Sequence, residues 1–239
     1  MPLASSLTEP ARRLHALHAA LDAAAARSGV ASPRLLAVSK LQTANAIADL
    51  AAAGQRAFGE NYVQEARTKQ AVLNDQTLEW HLIGHLQSNK AAEAASAFDW
   101  VQTVDRAKLI ALLARHRPAQ LPPLNVLIQV NIDDEASKHG CRPDQVATLA
   151  AAIAAEPRLR LRGLMAIPAP SSDPQQRRNA FSRMRLLFDT LAAQHPRIDT
   201  LSMGMSDDLD LASAEGATMV RVGTALFGRR EPAIGNGTS

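Results

Sequence analysis

The chain has 239 residues, of which 46% are hydrophobic and only 3% aromatic, and a net charge of +3. That length fits one large α/β domain or two small ones, with a core built from Ala, Leu, Val and Ile rather than from rings. The basic residues are scattered instead of gathered on one face, which argues against nucleic-acid recognition. No apolar run is long enough to span a bilayer, and the N-terminus carries no signal-peptide pattern. The single cysteine, Cys141, excludes an intrachain disulfide and points to a reducing, cytoplasmic setting.

Leu7, Leu14, Leu17 and Leu21 recur at helical spacing and predict a first helix that ends near Ser28-Gly29, a covering element over residues 1–30. Arg34 to Lys40 then reads as a buried strand, and Thr43 as the N-cap of a helix that stops at Gly54. Ala57-Phe58-Gly59 is a short strand, followed by a helix from about Tyr62. Trp80 to Ile83 is the third strand, and Ser88 or Asn89 caps the Ala-rich helix after it. Trp100 to Thr103 is the fourth, and Asp105 is expected to cap a helix closed by Pro118. Leu124 to Asn131 is rich in β-branched residues and runs into a polar loop, Asp133 to Gly140. Pro143 opens the next helix. Leu159 to Ile167, Asp199 to Ser202 and Thr218 to Val222 complete the strands, separated by a long helix bearing Phe181, Met184, Phe188 and Leu191 and by a short one over Asp208 to Glu215.

Strict alternation of about eight strands with helices argues for a parallel sheet, and the count argues for a single closed (β/α)8 TIM-type barrel over residues 31–230. An open doubly wound sheet is the alternative, although its Gly-rich first turn is missing. Residues 231–239 read as a disordered tail.

In such a barrel the active site lies at the carboxyl ends of the strands. Lys40 ends the first strand there. Partial desolvation at such a rim favours the neutral form of an amine, which can attack a carbonyl and form a Schiff base. The simpler alternative is a lysine that snorkels at the edge of the sheet. Phosphate is often held by the loops after strands seven and eight. Here these are Met203 to Ser206 and Gly223-Thr224, small-residue turns with hydroxyls and free amides, although ordinary βα turns favour the same residues. A Schiff-base lysine beside a phosphate cradle describes pyridoxal 5′-phosphate. Arg221, two residues before that last turn, is placed to meet the ring nitrogen, where a cation would keep the nitrogen unprotonated and weaken the ring as an electron sink. A strand arginine paired with a carboxylate is the competing reading.

The stretches Ala37-Val38-Ser39-Lys40, Phe58 to Glu65, Trp80 to Lys90, Gly163-Leu164-Met165, Ser202 to Asp208 and Val220 to Gly228 together resemble the pyridoxal phosphate homeostasis protein family. That family looks like the barrel domain of alanine racemase standing alone. The resemblance implies Lys40 as the Schiff-base lysine, with Ser206, Gly223 and Thr224 around the phosphate and Arg221 at the ring nitrogen. Asn61, His81 and Met203 would be lesser pocket residues.

The function implied is a non-catalytic carrier that buffers pyridoxal phosphate and hands it to apoenzymes, acting as a monomer with a weak dimer as the alternative. A pyridoxal-phosphate-dependent amino-acid racemase is the runner-up. It needs an acid–base group on each face of Cα, and no second domain is evident here to supply the other. A cofactor-free Schiff-base aldolase is third, since the sixth strand carries no lysine. His81 and His85 stand four apart, but no third ligand is evident, so no metal is expected. His81 is expected to point into the barrel, Tyr62 to pack after the second strand, Lys138 to face solvent and Asp207-Asp208 to cap the short helix. No reactive role is expected of Cys141, which has no evident nucleophile–base pair nearby.

Overall fold

Eight parallel strands pair in chain order and β8 closes back onto β1, as a computed structural model describing residues 7–75, 77–135, 138–169 and 171–228 shows. The strands are β1 (Arg34–Val38), β2 (Ala57–Glu60), β3 (Glu79–Leu82), β4 (Trp100–Val104), β5 (Leu124–Val130), β6 (Leu159–Ala166), β7 (Thr200–Ser202) and β8 (Met219–Val222). The helices are α1 (Glu9–Ser28), α2 (Ala44–Ala52), α3 (Val63–Leu73), α4 (Ala91–Ala97), α5 (Ala107–His116), α6 (Val146–Ala154), α7 (Pro174–Gln194), α8 (Leu209–Ala214) and α9 (Thr224–Phe227). The expected closed barrel is therefore observed rather than the open sheet. The expected tail, 231–239, lies outside the described residues.

Alternation of sheet faces divides the apolar side chains into two sets. The main core lies between the outer face of the barrel and the helices, where Ile47, Leu109, Ile153 and Phe181 are fully buried. Inside the barrel are two small, separate clusters: Leu36, Ala57 and Met219, and Trp100, Leu127 and Met165. Polar residues occupy the space between them. α1 begins at the N-cap Thr8, whose hydroxyl accepts from Ala11 N, and ends at Gly29. It buries Leu14, Leu17 and Leu21 against α8, α9 and α2. It thus covers the side of the barrel where the outer helices are shortest.

Several expected caps differ. Asp105 does not cap α5, because its carboxylate is held by the Arg106 guanidinium at 2.6 Å and Arg106 itself stands at the cap position. Neither Ser88 nor Asn89 caps α4, since both belong to a 3₁₀ turn, Ser88–Lys90, that leads into it. Asp208 stands at the head of α8, but its carboxylate reaches back to Met205 N at 2.6 Å, so it braces the preceding loop. Tyr62 is 65% exposed rather than packed, because it lies at the extended N-cap of α3 with its side chain over the rim.

Register between β5 and β6 shifts between Val126 and Leu127, which pair with Leu161 and Gly163 respectively. Gly163 absorbs this bulge with φ +146°, and a Cβ on it would stand 1.9 Å from Thr200 O on the neighbouring strand. The β6–β7 seam can therefore close only around a glycine. Gly163→Ala is expected to lose about 1–3 kcal/mol from backbone strain alone, with the clash added, measured as a lowered urea midpoint or loss of soluble protein.

Candidate functional site at the carboxyl ends of the strands

β1 ends at Val38, so Lys40 stands two residues beyond the sheet, half-buried at the rim. Its own side chain makes no hydrogen bond to a described residue, while both of its chain neighbours are tightly held. Ser39 extends the β1–β2 ladder by donating N–H to Gly59 O (2.9 Å), and its hydroxyl donates to Glu60 Oε1 (2.6 Å). Lys69, buried on α3, places its ammonium 2.7 Å from each of Ser39 O, Glu60 Oε1 and Glu65 Oε1. Glu65 Oε1 in turn accepts from Leu41 N at 2.5 Å, fixing Leu41 in the left-handed region at φ +62°. Burial pushes the Glu60 carboxyl upward, and the bonds from Lys69 and Ser39 oppose that shift. One buried ammonium thus clamps the backbone on both sides of Lys40.

On the opposite seam of β1, Leu36 pairs with Arg221 and Ala37 with Val222, which brings the end of β8 to the same rim. Arg221 is buried and has no carboxylate at ion-pair distance among the described residues. Its guanidinium donates to Ser202 Oγ (2.8 Å) and to Ala166 O (2.9 Å). Burial lowers its pKa to about 10, against the charge of Asp208, and it stays cationic at neutral pH.

From Arg221 a single file of hydrogen bonds crosses the barrel interior. Ser202 Oγ donates to Gln102 Oε1 (2.8 Å), and Gln102 Nε2 donates to His81 Nδ1 (2.9 Å). His81 Nε2 donates to Glu79 Oε1 (2.5 Å), and Glu79 is paired at 2.8 Å with Arg34 at the start of β1. Every donor finds an acceptor only if His81 is neutral with its proton on Nε2. Burial lowers the His81 imidazole accordingly, against the pull of Glu79. Burial alone would raise Glu79, but His81 and Arg34 outweigh it and hold the carboxyl at about 2. His81 also stacks on Trp100 at 5.1 Å.

Two of the recesses formed by the rim loops hold Arg221 and Asn61. Lys138, Gly204, Met205, Asp207, Asp208 and Arg221 line one. Asn61, Tyr62, Gly84, His85, Gln87 and Lys90 line part of the other. Asn61 is held against β3, since a Cβ on Gly84 would stand 2.1 Å from Asn61 O. Gly223 heads α9, and a Cβ on it would stand 3.3 Å from Val38 O. Thr224, the first residue of α9, and Ser206, on the loop after β7, are exposed. α9 leaves its leading amides without helical acceptors, as any helix start does. His81 points into the barrel, as expected. His81 and Met203 are fully buried and line neither recess: His81 acts on the rim through Gln102 and Ser202, and Met203 packs in the main core.

Lys138 corrects an expectation: it is turned into the Arg221 recess, 3.6 Å from Glu135, rather than out to solvent. Sequence reasoning also missed Glu60, Lys69, Gln102 and Ser202. For the last two a signal existed, because a polar residue at an inward position of a barrel strand must find a partner inside. Cys141 is buried and its thiol pushed up to about 12 by that burial, which suits an inert structural residue.

Two consequences are measurable. Lys69→Met leaves Glu60 buried without its counter-charge and is expected to cost roughly 3–5 kcal/mol in chemical denaturation, with part of the loss recovered when Glu60→Gln is added. Glu79 is ionised in the fold down to about 2, below its ordinary 4.5, so its stabilising contribution is complete above 4.5 and is lost as pH falls toward 2. Denaturation midpoints across that range should fall more steeply for the parent than for Glu79→Gln.

Comparison with known proteins agrees with this architecture. The family described as "Alanine racemase, N-terminal domain" matches residues 13–231. The pyridoxal phosphate homeostasis protein of Escherichia coli K12 is 53% identical over 217 residues, covering 88% of this chain and 92% of its own length. That of Pseudomonas aeruginosa PAO1 is 54% identical over 210 residues, covering 87% and 90%. The structure of PipY from Synechococcus elongatus PCC7942 with PLP bound aligns at TM-score 0.80 and 38% identity, covering 92% of this chain and all of that one. Alanine racemase from Corynebacterium glutamicum shares the fold at TM-score 0.64 and 18% identity, with 62% of its chain covered. The chain belongs to the pyridoxal phosphate homeostasis protein family, built on the alanine racemase N-terminal-domain barrel.

Proposed function

We propose that this chain holds pyridoxal 5′-phosphate as a Schiff base on Lys40, buffers it, and delivers it to apoenzymes as a monomeric cytoplasmic carrier without robust catalysis of its own. The observation that carries this reading is the pairing of a clamped amine with a buried cation that makes no ion pair among the described residues. The bound cofactor would supply an aldehyde that condenses with the Lys40 amine, releasing water.

The residues present fit that group. Arg221 is a buried guanidinium bonded, among the described residues, only to neutral acceptors, so it suits an unprotonated ring nitrogen and disfavours a protonated one. Such a contact restrains the ring as an electron sink, which favours storage over turnover. Gly223 and Thr224 offer small-residue backbone and a hydroxyl at the start of α9, and Ser206 offers another hydroxyl from the β7 loop, the donor types that take a phosphate. Asn61 would border the other side. His81 and Met203 would act from behind, one by orienting Arg221 and one by packing. The homeostasis name and the PLP-bound neighbour also support the reading.

The test is the visible spectrum of the purified protein beside Lys40→Ala. A yellow band in the parent that borohydride bleaches, and that Lys40→Ala lacks, is expected. A protein that stays colourless with added pyridoxal phosphate would overturn the cofactor assignment. Amino-acid racemisation by pure protein at about 1 per second or faster would instead support the racemase.

A further inference from the structure

Three loops at the rim, away from β7 and β8, bring metal-ligating side chains together. His85 follows β3, Asp105 follows β4 directly, and His139 lies in the loop after β5. One ligand atom from each lies within 4.8 Å of the other two. His85 Nδ1 stands 3.9 Å from Asp105 Oδ2, and the two imidazoles stack with ring centroids 3.7 Å apart. We propose that His85, Asp105 and His139 bind a divalent transition-metal ion of the zinc class at the barrel mouth.

The scaffold behind each ligand is firm. Thr103 Oγ1 donates to Gly84 O at 2.9 Å, fixing the residue before His85. Arg106 takes Asp105 Oδ1 at 2.6 Å and also donates to Leu86 O at 3.0 Å, which aims the other carboxylate oxygen at the histidines. His139 O accepts from Gln129 Nε2 at 3.2 Å, and Cys141 bridges back to Val130 two residues on. Positioning from outside the ligand set is what metal sites require.

The chemistry also selects. Imidazoles stacked this closely repel each other when both are charged. Two imidazole nitrogens and one carboxylate oxygen suit Zn²⁺, Co²⁺ or Ni²⁺, whereas Ca²⁺ and Mg²⁺ prefer oxygen ligands. Ligand atoms about 2.0–2.2 Å from an ion stand roughly 3.3 Å apart, so the cluster must close by about 1–1.5 Å. Both histidines are exposed and free to rotate by that amount. Their exposed side leaves room for water as the fourth ligand. Arg106 subtracts affinity by its charge, which makes this a site of moderate strength. The sequence alone expects no metal, because His81 turns inward and the partners of His85 come from two later strands.

The probe is Zn²⁺ titrated calorimetrically into untagged protein freed of metal by a chelator, with Co²⁺ as the spectroscopic reporter. One ion per chain and visible Co²⁺ bands are expected. His139→Ser and His85→Ala should each weaken binding at least about 10-fold, with thermal melts of the metal-free proteins unchanged. The exposed pair His15 and His18, three apart on α1, is the competing site. The double variant His15→Ala/His18→Ala should leave binding unchanged. No saturable binding, binding that survives His139→Ser and His85→Ala, or binding abolished by the α1 double variant would each overturn the proposal.

Discussion

A single ammonium group, that of Lys69, governs the geometry of the rim around Lys40. Burying a charge is costly unless it is paired and hydrogen-bonded. Lys69 meets that condition with two carboxylates and one carbonyl, all at 2.7 Å. Those acceptors lie on three segments: the end of β1, the end of β2 and the first turn of α3. Removing the charge would leave Glu60 unbalanced in an apolar wall and release Ser39 and Leu41 together. The strain at Leu41, a branched side chain at φ +62°, persists because its N–H is held by Glu65 within the same cluster.

The barrel interior obeys a different rule from the shell outside it. Barrels of this type are usually filled by layers of branched apolar side chains. Here two small apolar clusters flank a file of polar groups that runs from Arg34 and Glu79 below to Arg221 above. Ser202 and Gln102 meet across the lumen, since β4 and β7 are not neighbours in the sheet. With the Gln102 amide oxygen toward Ser202, the file runs in one direction, with the His81 proton on Nε2 and the Arg221 guanidinium donating to Ser202. The proposed role of Arg221 at a ring nitrogen therefore rests on residues that reach the floor of the barrel.

Much of the fold was legible because strand and helix periodicities alternate without a break, and because the strand ends carry turn residues. Lys40, Arg221, Gly223 and Thr224 could be placed at one rim from that alternation alone. Asp105 misled because an aspartate before a helix reads as a cap, while its actual partners, Arg106 and His85, depend on the loop after β3. Tyr62 misled because the sequence does not tell which way an N-cap residue faces. Lys69 and Glu60, nine apart, read as an ordinary helix lysine and a strand-end glutamate until α3 is folded back over β1 and β2. His139 acquires a role only when three loops far apart in sequence are brought together. Contacts within one βα unit were visible in the sequence, and those between units were not.

Among the described residues no carboxylate pairs directly with Arg221, which bears on the field at the mouth as well as on orientation. A guanidinium solvated by neutral dipoles keeps its full monopole, whereas one in an ion pair presents only a short-range dipole to the outside. Low-dielectric walls focus such a field through the wet end of the barrel. An anion approaching this recess meets Arg221 and Lys138 opposed by Asp207 and Asp208, so the field it feels is local and falls off over about 8 Å in physiological salt. With a net charge of only +3 spread over the whole chain, the balance of those four groups, rather than the global charge, dominates the potential at the mouth.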